Sequence, residues 1–204
     1  MNLRIRGFKP KTASVLLLVL AFDLLLSRSI IAGPKQNNRF PSIKINNFGQ
    51  MDDRFYRGGQ PKKGEYKALA DLGIKTIIDL RGDPTSYEKA AVEALGMRYV
   101  NIPMSDGKRP SEIQIAQFLN LARDPATGKF YVHCAGGRHR TGVIGAVYRY
   151  VFYSWSFEQV YKEMKDFDFY TRWGHGALKD WVMDYYQRMR VGQVHTLPIA
   201  GAKP

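Results

Sequence analysis

Phe130-Tyr131-Val132-His133-Cys134-Ala135-Gly136-Gly137-Arg138-His139-Arg140-Thr141-Gly142 is the stretch that decides the fold. Its first four residues read as a buried strand. After it, Val143, Ile144, Val147, Tyr148 and Val151 recur at helical spacing, which predicts an amphipathic helix. A strand passing through a glycine pair straight into a helix is an α/β signature, and in open α/β sheets ligands bind at that strand end. Gly136 and Gly137 let successive backbone N–H groups turn inward as an anion-binding nest. The helix that follows aims its positive end at the same place. The backbone of Ala135, Gly136, Gly137, Arg138, His139 and Arg140 is therefore the candidate phosphate cradle.

Five residues separate Cys134 from Arg140, so the curled loop can bring the guanidinium over the nest. Its planar fork binds two phosphate oxygens at once, which a lysine cannot do. A thiol among amide dipoles and cations is held as the nucleophilic thiolate. Thr141 can donate a hydrogen bond to that sulfur and assist its departure. His133 is read as a residue that orients the loop through its imidazole. A cysteine merely buried at a glycine turn would need neither Arg140 nor Thr141.

Outward from this loop, strand and helix patterns alternate. Phe55-Tyr56-Arg57 reads as a strand. Gly58-Gly59-Gln60-Pro61 reads as a turn, with Pro61 at the first position of a helix that ends at Gly73. Ile74 to Leu80 and Met97 to Ile102 read as strands. Thr85 with Glu88, Ser111 with Gln114, and Ser156 with Gln159 have capping-box spacing. A last helix carries Leu178, Trp181, Val182, Tyr185 and Met189. The sum predicts an α/β fold, one domain with a mostly parallel sheet flanked by helices. The apolar share of 45% is ample for one packed core in 204 residues. The expected organisation is a signal or anchor over 1–32, a polar linker over 33–47, the catalytic domain over 48–190 and a loose tail over 191–204.

The N-terminus carries Arg4, Arg6, Lys9 and Lys11, then an apolar run from Val15 to Leu26 broken by Asp23. The run is short for a span of ~20 residues and holds a charge, so an export signal is expected over a membrane anchor. Membrane contact through this segment is the rival expectation. The formal net charge is +13, and most of it lies outside residues 1–32, so the domain itself suits anionic partners. No nucleic-acid motif accompanies the charge, and no nucleic-acid partner is expected. The single cysteine excludes an intramolecular disulfide and a two-thiolate zinc site. No cofactor and no metal ligand set are read from the sequence, and oligomeric state is left open.

The loop His133-Cys134-x-x-Gly137-x-x-Arg140-Thr141-Gly142 resembles the phosphate loop of protein tyrosine and dual-specificity phosphatases. Arg138-His139 before the arginine is similar to the atypical dual-specificity group of plants, fungi and bacteria. So are Phe55-Tyr56-Arg57-Gly58-Gly59-Gln60-Pro61 and Leu72-Gly73-Ile74-Lys75-Thr76-Ile77-Ile78-Asp79-Leu80-Arg81. The resemblance covers about residues 48–165 and implies a cysteinyl-phosphate mechanism needing no metal. It also implies an aspartic general acid on a loop before the nucleophile. Asp106, 28 residues upstream of Cys134, follows a strand end and precedes a capped helix, where a mobile loop could close on substrate; Asp79 and Asp83 are lesser candidates.

The expected substrate is a phosphorylated protein or another anionic phosphate ester, with phosphoinositides and inositol (pyro)phosphates as the alternative. Arg138 and His139 are expected to face solvent or substrate. Arg57, Arg81, Lys108 and Arg109 are expected to extend the basic patch, with Arg81 alternatively holding its strand end by an ion pair. Two rivals come from other classes: a rhodanese-type sulfurtransferase, opposed by Arg140-Thr141-Gly142 and the Asp106 loop, and a phosphate-binding module without catalysis.

Overall fold

The computed structural model describes residues 39–192. The signal or anchor expected over 1–32 and most of the tail lie outside these residues. Among the described residues no helix is long and apolar enough to cross a membrane.

Five strands form one sheet: β1 (Gly49–Gln50), β2 (Phe55–Gly58), β3 (Ile74–Arg81), β4 (Arg98–Met104) and β5 (Lys129–His133), in the spatial order β1-β2-β5-β3-β4. The expected mostly parallel sheet is a mixed one. β2, β5, β3 and β4 run parallel, while β1 pairs antiparallel with β2. The turn between Gln50 and Phe55 is too short for the crossover that parallel pairing needs, so the chain can only fold back as a hairpin. β5 is the central strand, with Gly58 and Asp79 both in register with His133. The carboxyl ends of β2, β3 and β5 thus meet at one edge, where Cys134 begins.

Among the described residues six α-helices flank the sheet: α1 (Tyr66–Asp71), α2 (Glu88–Glu93), α3 (Glu112–Arg123), α4 (His139–Tyr153), α5 (Phe157–Asp166) and α6 (Gly176–Arg190). Successive strand residues point to opposite faces. Phe55, Ile78, Phe130 and Val132 pack with α3, α4 and α6, whereas Tyr56, Ile77 and Tyr131 pack with α1, α2 and residues 43–48. α4 is buried over His139 to Tyr150, because α5 and α6 cover the side turned away from the sheet. Arg149 and Glu163 tie α4 to α5 through a buried pair, Nη2 to Oε1 at 2.6 Å. Arg149 also donates to the Met51 carbonyl. Breaking such a pair leaves one charge buried alone, at about 3–5 kcal/mol.

Three local expectations change. The boxes at Ser111/Gln114 and Ser156/Gln159 form with both reciprocal bonds. The one at Thr85/Glu88 does not, because Glu88 turns into the interior and the N-cap of α2 is Tyr87 with no side-chain cap bond. Pro61 does not open a helix. α1 starts at Tyr66, and the Pro61 carbonyl accepts from the hydroxyls of Tyr66 and Tyr87. The segment read as a linker is packed over its described part: Ile43 and Ile45 are core residues beside Phe48.

Candidate active site

Cys134 is 3% exposed, directly after β5. Residues 135–138 curl before α4 begins at His139. Two peptide carbonyls of the curl point back into the protein. Ala135 O accepts from the Gln60 amide at 3.0 Å. Gly137 O accepts from Arg57 Nη2 at 2.8 Å and Asn47 Nδ2 at 2.9 Å. In a trans peptide the N–H lies opposite the C=O, so the amides of Gly136 and Arg138 face the inner side of the loop, as an anion nest requires. Gly137 has φ +68°, and a Cβ there would lie 2.3 Å from the Gly58 carbonyl carbon. Only glycine fits both constraints.

The wall behind the loop is the Phe55–Pro61 segment. Gly58 leaves room for the Tyr131 hydroxyl, which would lie 2.3 Å from a Cβ and which donates to Gly59 O at 2.7 Å. Arg57 does not extend the basic patch. It is 1% exposed, stacks over Phe167 at 4.1 Å and braces Gly137. Burial lowers its pKa to about 10, so it is still a cation at neutral pH. Asn47 bridges the loop to Phe167 O at 2.8 Å. Asn47 was not read from the sequence and Arg57 was misplaced; the local signal for Arg57 was the adjoining Gly58-Gly59 pair.

Arg140 is buried. Its Nη1 donates to Met104 O, the last residue of β4, at 3.2 Å. Its Nε lies 3.7 Å from Asp106 Oδ1, too far for a hydrogen bond. Arg140 Nε and Thr141 Oγ1 are buried polar atoms with no protein hydrogen-bond partner. Such atoms are costly unless a ligand or water meets them. Asp106 is exposed, on the loop between β4 and α3. The same Oδ1 lies 3.5 Å from His175 Nε2. The structure thus gathers Cys134, Arg140, Thr141 and Asp106 at one sheet edge.

His139 departs from expectation. Its ring is 7% exposed and stacked on His175 with centroids 3.5 Å apart and planes at 11°. Burial, then the neighbouring His175, lower its pKa to about 4. Arg138 is exposed, as expected. Arg109 pairs with Asp184 at 3.1 Å. Arg81 pairs with Asp83 at 2.9 Å and reaches Gln60, so it takes the strand-end role. Lys108 is exposed.

Beneath the loop, His133 is fully buried. Its Nε2 lies 2.8 Å from Glu88 Oε1 and its Nδ1 lies 3.8 Å from Asp79 Oδ1. The imidazole therefore meets carboxylates of α2 and β3, and any influence on the loop passes through the backbone. Gln60 donates to Glu88 at 2.9 Å, and Tyr99 donates to Asp79 at 2.9 Å. Burial alone would raise the Glu88 carboxyl, but His133 and Gln60 outweigh it and its pKa falls below the ordinary value. Asp79 is raised by burial, which His133 and the Arg81 amide only partly offset.

Two clusters among the described residues have metal-ligand spacing that the sequence did not reveal: Asp79, Glu88 and His133, and Asp106, His139 and His175. In the first, Gln60, Tyr99 and the Arg81 amide already take carboxylate oxygens. In the second, the stacked rings carry their nitrogen lone pairs in parallel planes, which do not converge on one ion.

Residues 38–175 match the family described as PTP-NADK: DSP-PTPase phosphatase fused to NAD+ Kinase. The chain belongs to this phosphatase family. It is 27% identical over 126 residues to the dual specificity protein phosphatase TpbA of Pseudomonas aeruginosa, covering 61% of this chain and 55% of TpbA. It is 26% identical over 136 residues to the inositol diphosphatase SIW14 of Saccharomyces cerevisiae, covering 62% and 47%. The match thus spans about half of each relative. The crystal structure of TpbA superposes with a TM-score of 0.62 at 22% identity, over 75% of this chain and 92% of that one. At that identity the superposition shows a shared fold. The chain is a tyrosine or dual-specificity type phosphatase, a hydrolase.

Proposed function

We propose that the chain hydrolyses phosphomonoesters through a cysteinyl-phosphate on Cys134. The observation that carries this reading is the loop itself: a buried thiol inside a curl whose Gly136 and Arg138 amides face inward, with the Arg140 guanidinium and Thr141 hydroxyl in reserve. The thiolate attacks phosphorus while the amides and Arg140 hold the non-bridging oxygens. Asp106 gives its proton to the leaving oxygen as the P–O bond breaks. Water then attacks, its proton passes to Asp106, and the S–P bonding electrons return to Cys134. Thr141 donates to the departing sulfur.

The preferred substrate class is a phosphorylated protein side chain, phosphotyrosine first; TpbA has been solved with phosphotyrosine. Inositol pyrophosphates are the second reading, favoured by exposed Arg138 and Lys108 and by likeness to SIW14, an inositol diphosphatase. A panel of phosphotyrosyl and phosphoseryl peptides, phosphoinositides and inositol pyrophosphates separates them. Higher kcat/KM on the peptides supports the first reading, and higher values on the pyrophosphates replace it with the second. Export rests on the pattern of residues 1–32 and is tested by sequencing the mature N-terminus; an intact Met1 on cytosolic protein contradicts it.

A further inference from the structure

The His175 ring faces an oxygen at each nitrogen. Nδ1 lies 2.9 Å from the Arg172 carbonyl, which can only accept, so Nδ1 carries a proton. Nε2 lies 3.5 Å from Asp106 Oδ1. When Asp106 is a carboxylate, that oxygen also can only accept. A neutral His175 would then set a lone pair against a negative charge. The doubly protonated ring donates to the Arg172 carbonyl and sets its positive charge, at ion-pair distance, against the carboxylate.

We propose that His175 is a positioning residue for the acid: as an imidazolium it holds the Asp106 carboxylate between the two chemical steps. This rests on the reading of Asp106 as general acid. After Asp106 has given its proton to the leaving oxygen, the carboxylate stands between His175 Nε2–H and Arg140 Nε, and it is kept oriented until water supplies the next proton. The His175 proton stays on His175 throughout.

The surroundings fit one charge. His139, packed from α4, is the ring stacked on His175. Burial and the charge of His175 keep His139 neutral, and a stack of one cation on one neutral ring avoids the repulsion of two. Tyr170 packs edge-on against both imidazoles. Arg138 lies at the loop mouth, and Arg140 faces the same Asp106 oxygen. The amino terminus of α6, which His175 caps without a side-chain bond, disfavours a cation; the Asp106 carboxylate is the compensating charge. Gly174 O would lie 3.6 Å from a Cβ at Gly107, so the acid loop already rests on the loop that carries His175.

The test uses the full chain and an aryl phosphate with a good leaving group, so that hydrolysis of the cysteinyl-phosphate limits kcat. His175→Phe keeps a ring against His139 and removes the donor. His175→Gln keeps a donor near the Nε2 position. The expected result is a fall in kcat of about tenfold for His175→Phe, with kcat/KM unchanged and recovery of most of the loss in His175→Gln. Wild-type kcat in His175→Phe, or equal losses in both variants, would overturn the proposal. Asp106→Asn, run alongside, separates the two ideas. Full activity there overturns the acid assignment, whereas impaired Asp106→Asn with intact His175→Phe overturns the His175 role alone. Should His175→Phe melt early, nitrogen NMR of the wild-type ring decides: both nitrogens protonated at neutral pH supports the role, and a lone pair on Nε2 refutes it.

Discussion

The two sides of the phosphate loop are built from different materials. The front carries Cys134, Arg140 and Thr141, close together in the chain, with buried polar atoms left without protein partners. The back is made of Asn47, Arg57, Gly58 and Gly59 on one side and of Glu88, Gln60 and His133 beneath, distant segments that brace the loop: Arg57 and Asn47 donate to Gly137 O and the Gln60 backbone amide donates to Ala135 O, while Asn47 Oδ1, Arg57 Nε, Glu88 Oε1 and both His133 nitrogens are buried without a hydrogen-bond partner. The front is shaped for a ligand and the back for rigidity. Amides can stabilise developing charge only if they are already in place, and the back supplies that placement.

Substitutions on the two sides should therefore fail differently. Cys134→Ser, at the front, is expected to reduce aryl phosphate turnover to background while phosphate analogues still bind and the melting temperature holds; measurable turnover would break the contrast. Next in size is Asp106→Ala, expected to slow poor leaving groups by about 10²–10⁴-fold and good ones much less. Equal slowing across leaving groups would send the acid elsewhere.

A change where the loop meets its brace should reduce both activity and stability. Gly137→Ala forces a Cβ against Gly58 at a positive φ and is expected to cost about 1–3 kcal/mol in urea melts as well as turnover. Loss of activity at full stability would mean the back is not a brace. Glu163→Gln, on α5 outside the loop, is expected to cost about 3–5 kcal/mol by stranding Arg149, with kcat per folded molecule retained.

The smallest effect concerns pH. Glu88 has a depressed pKa when folded, so its contribution is present above the ordinary carboxylate value and is lost as pH falls through the folded one. His139 is also depressed, from 6.5 to about 4, but as a base. Between those values the unfolded chain binds a proton that the folded chain does not, so stability falls with falling pH in that window. His139→Phe should flatten the loss between pH 6.5 and 4, measured as urea midpoints; an unchanged slope contradicts the burial of a neutral imidazole.

This contrast also explains what could be read from the sequence. The strand, the glycine turn and the helix of residues 130–151 form one contiguous pattern, and the Ser111 and Ser156 boxes are local, so they were legible. Glu88 had capping-box spacing but found a better partner in His133, 45 residues away. The Glu88 side chain turns inward, to His133 Nε2 and the Gln60 amide, instead of back over its own helix end. Arg57 looked like surface charge because nothing in its own segment announces Gly137 and Phe167 as neighbours. The His139–His175 stack joins the first turn of α4 to the entrance of α6, a pairing no local period encodes.

The central claim is the covalent step at Cys134. Enzyme mixed with an activated aryl phosphate and acid-quenched within the first turnover can be digested and its peptides examined by mass spectrometry. The account predicts one phosphoryl group on the peptide bearing Cys134, absent from Cys134→Ser. A phosphoryl group on His139 or another residue, or substrate turnover with no protein adduct under conditions where hydrolysis of the intermediate limits the rate, would contradict it.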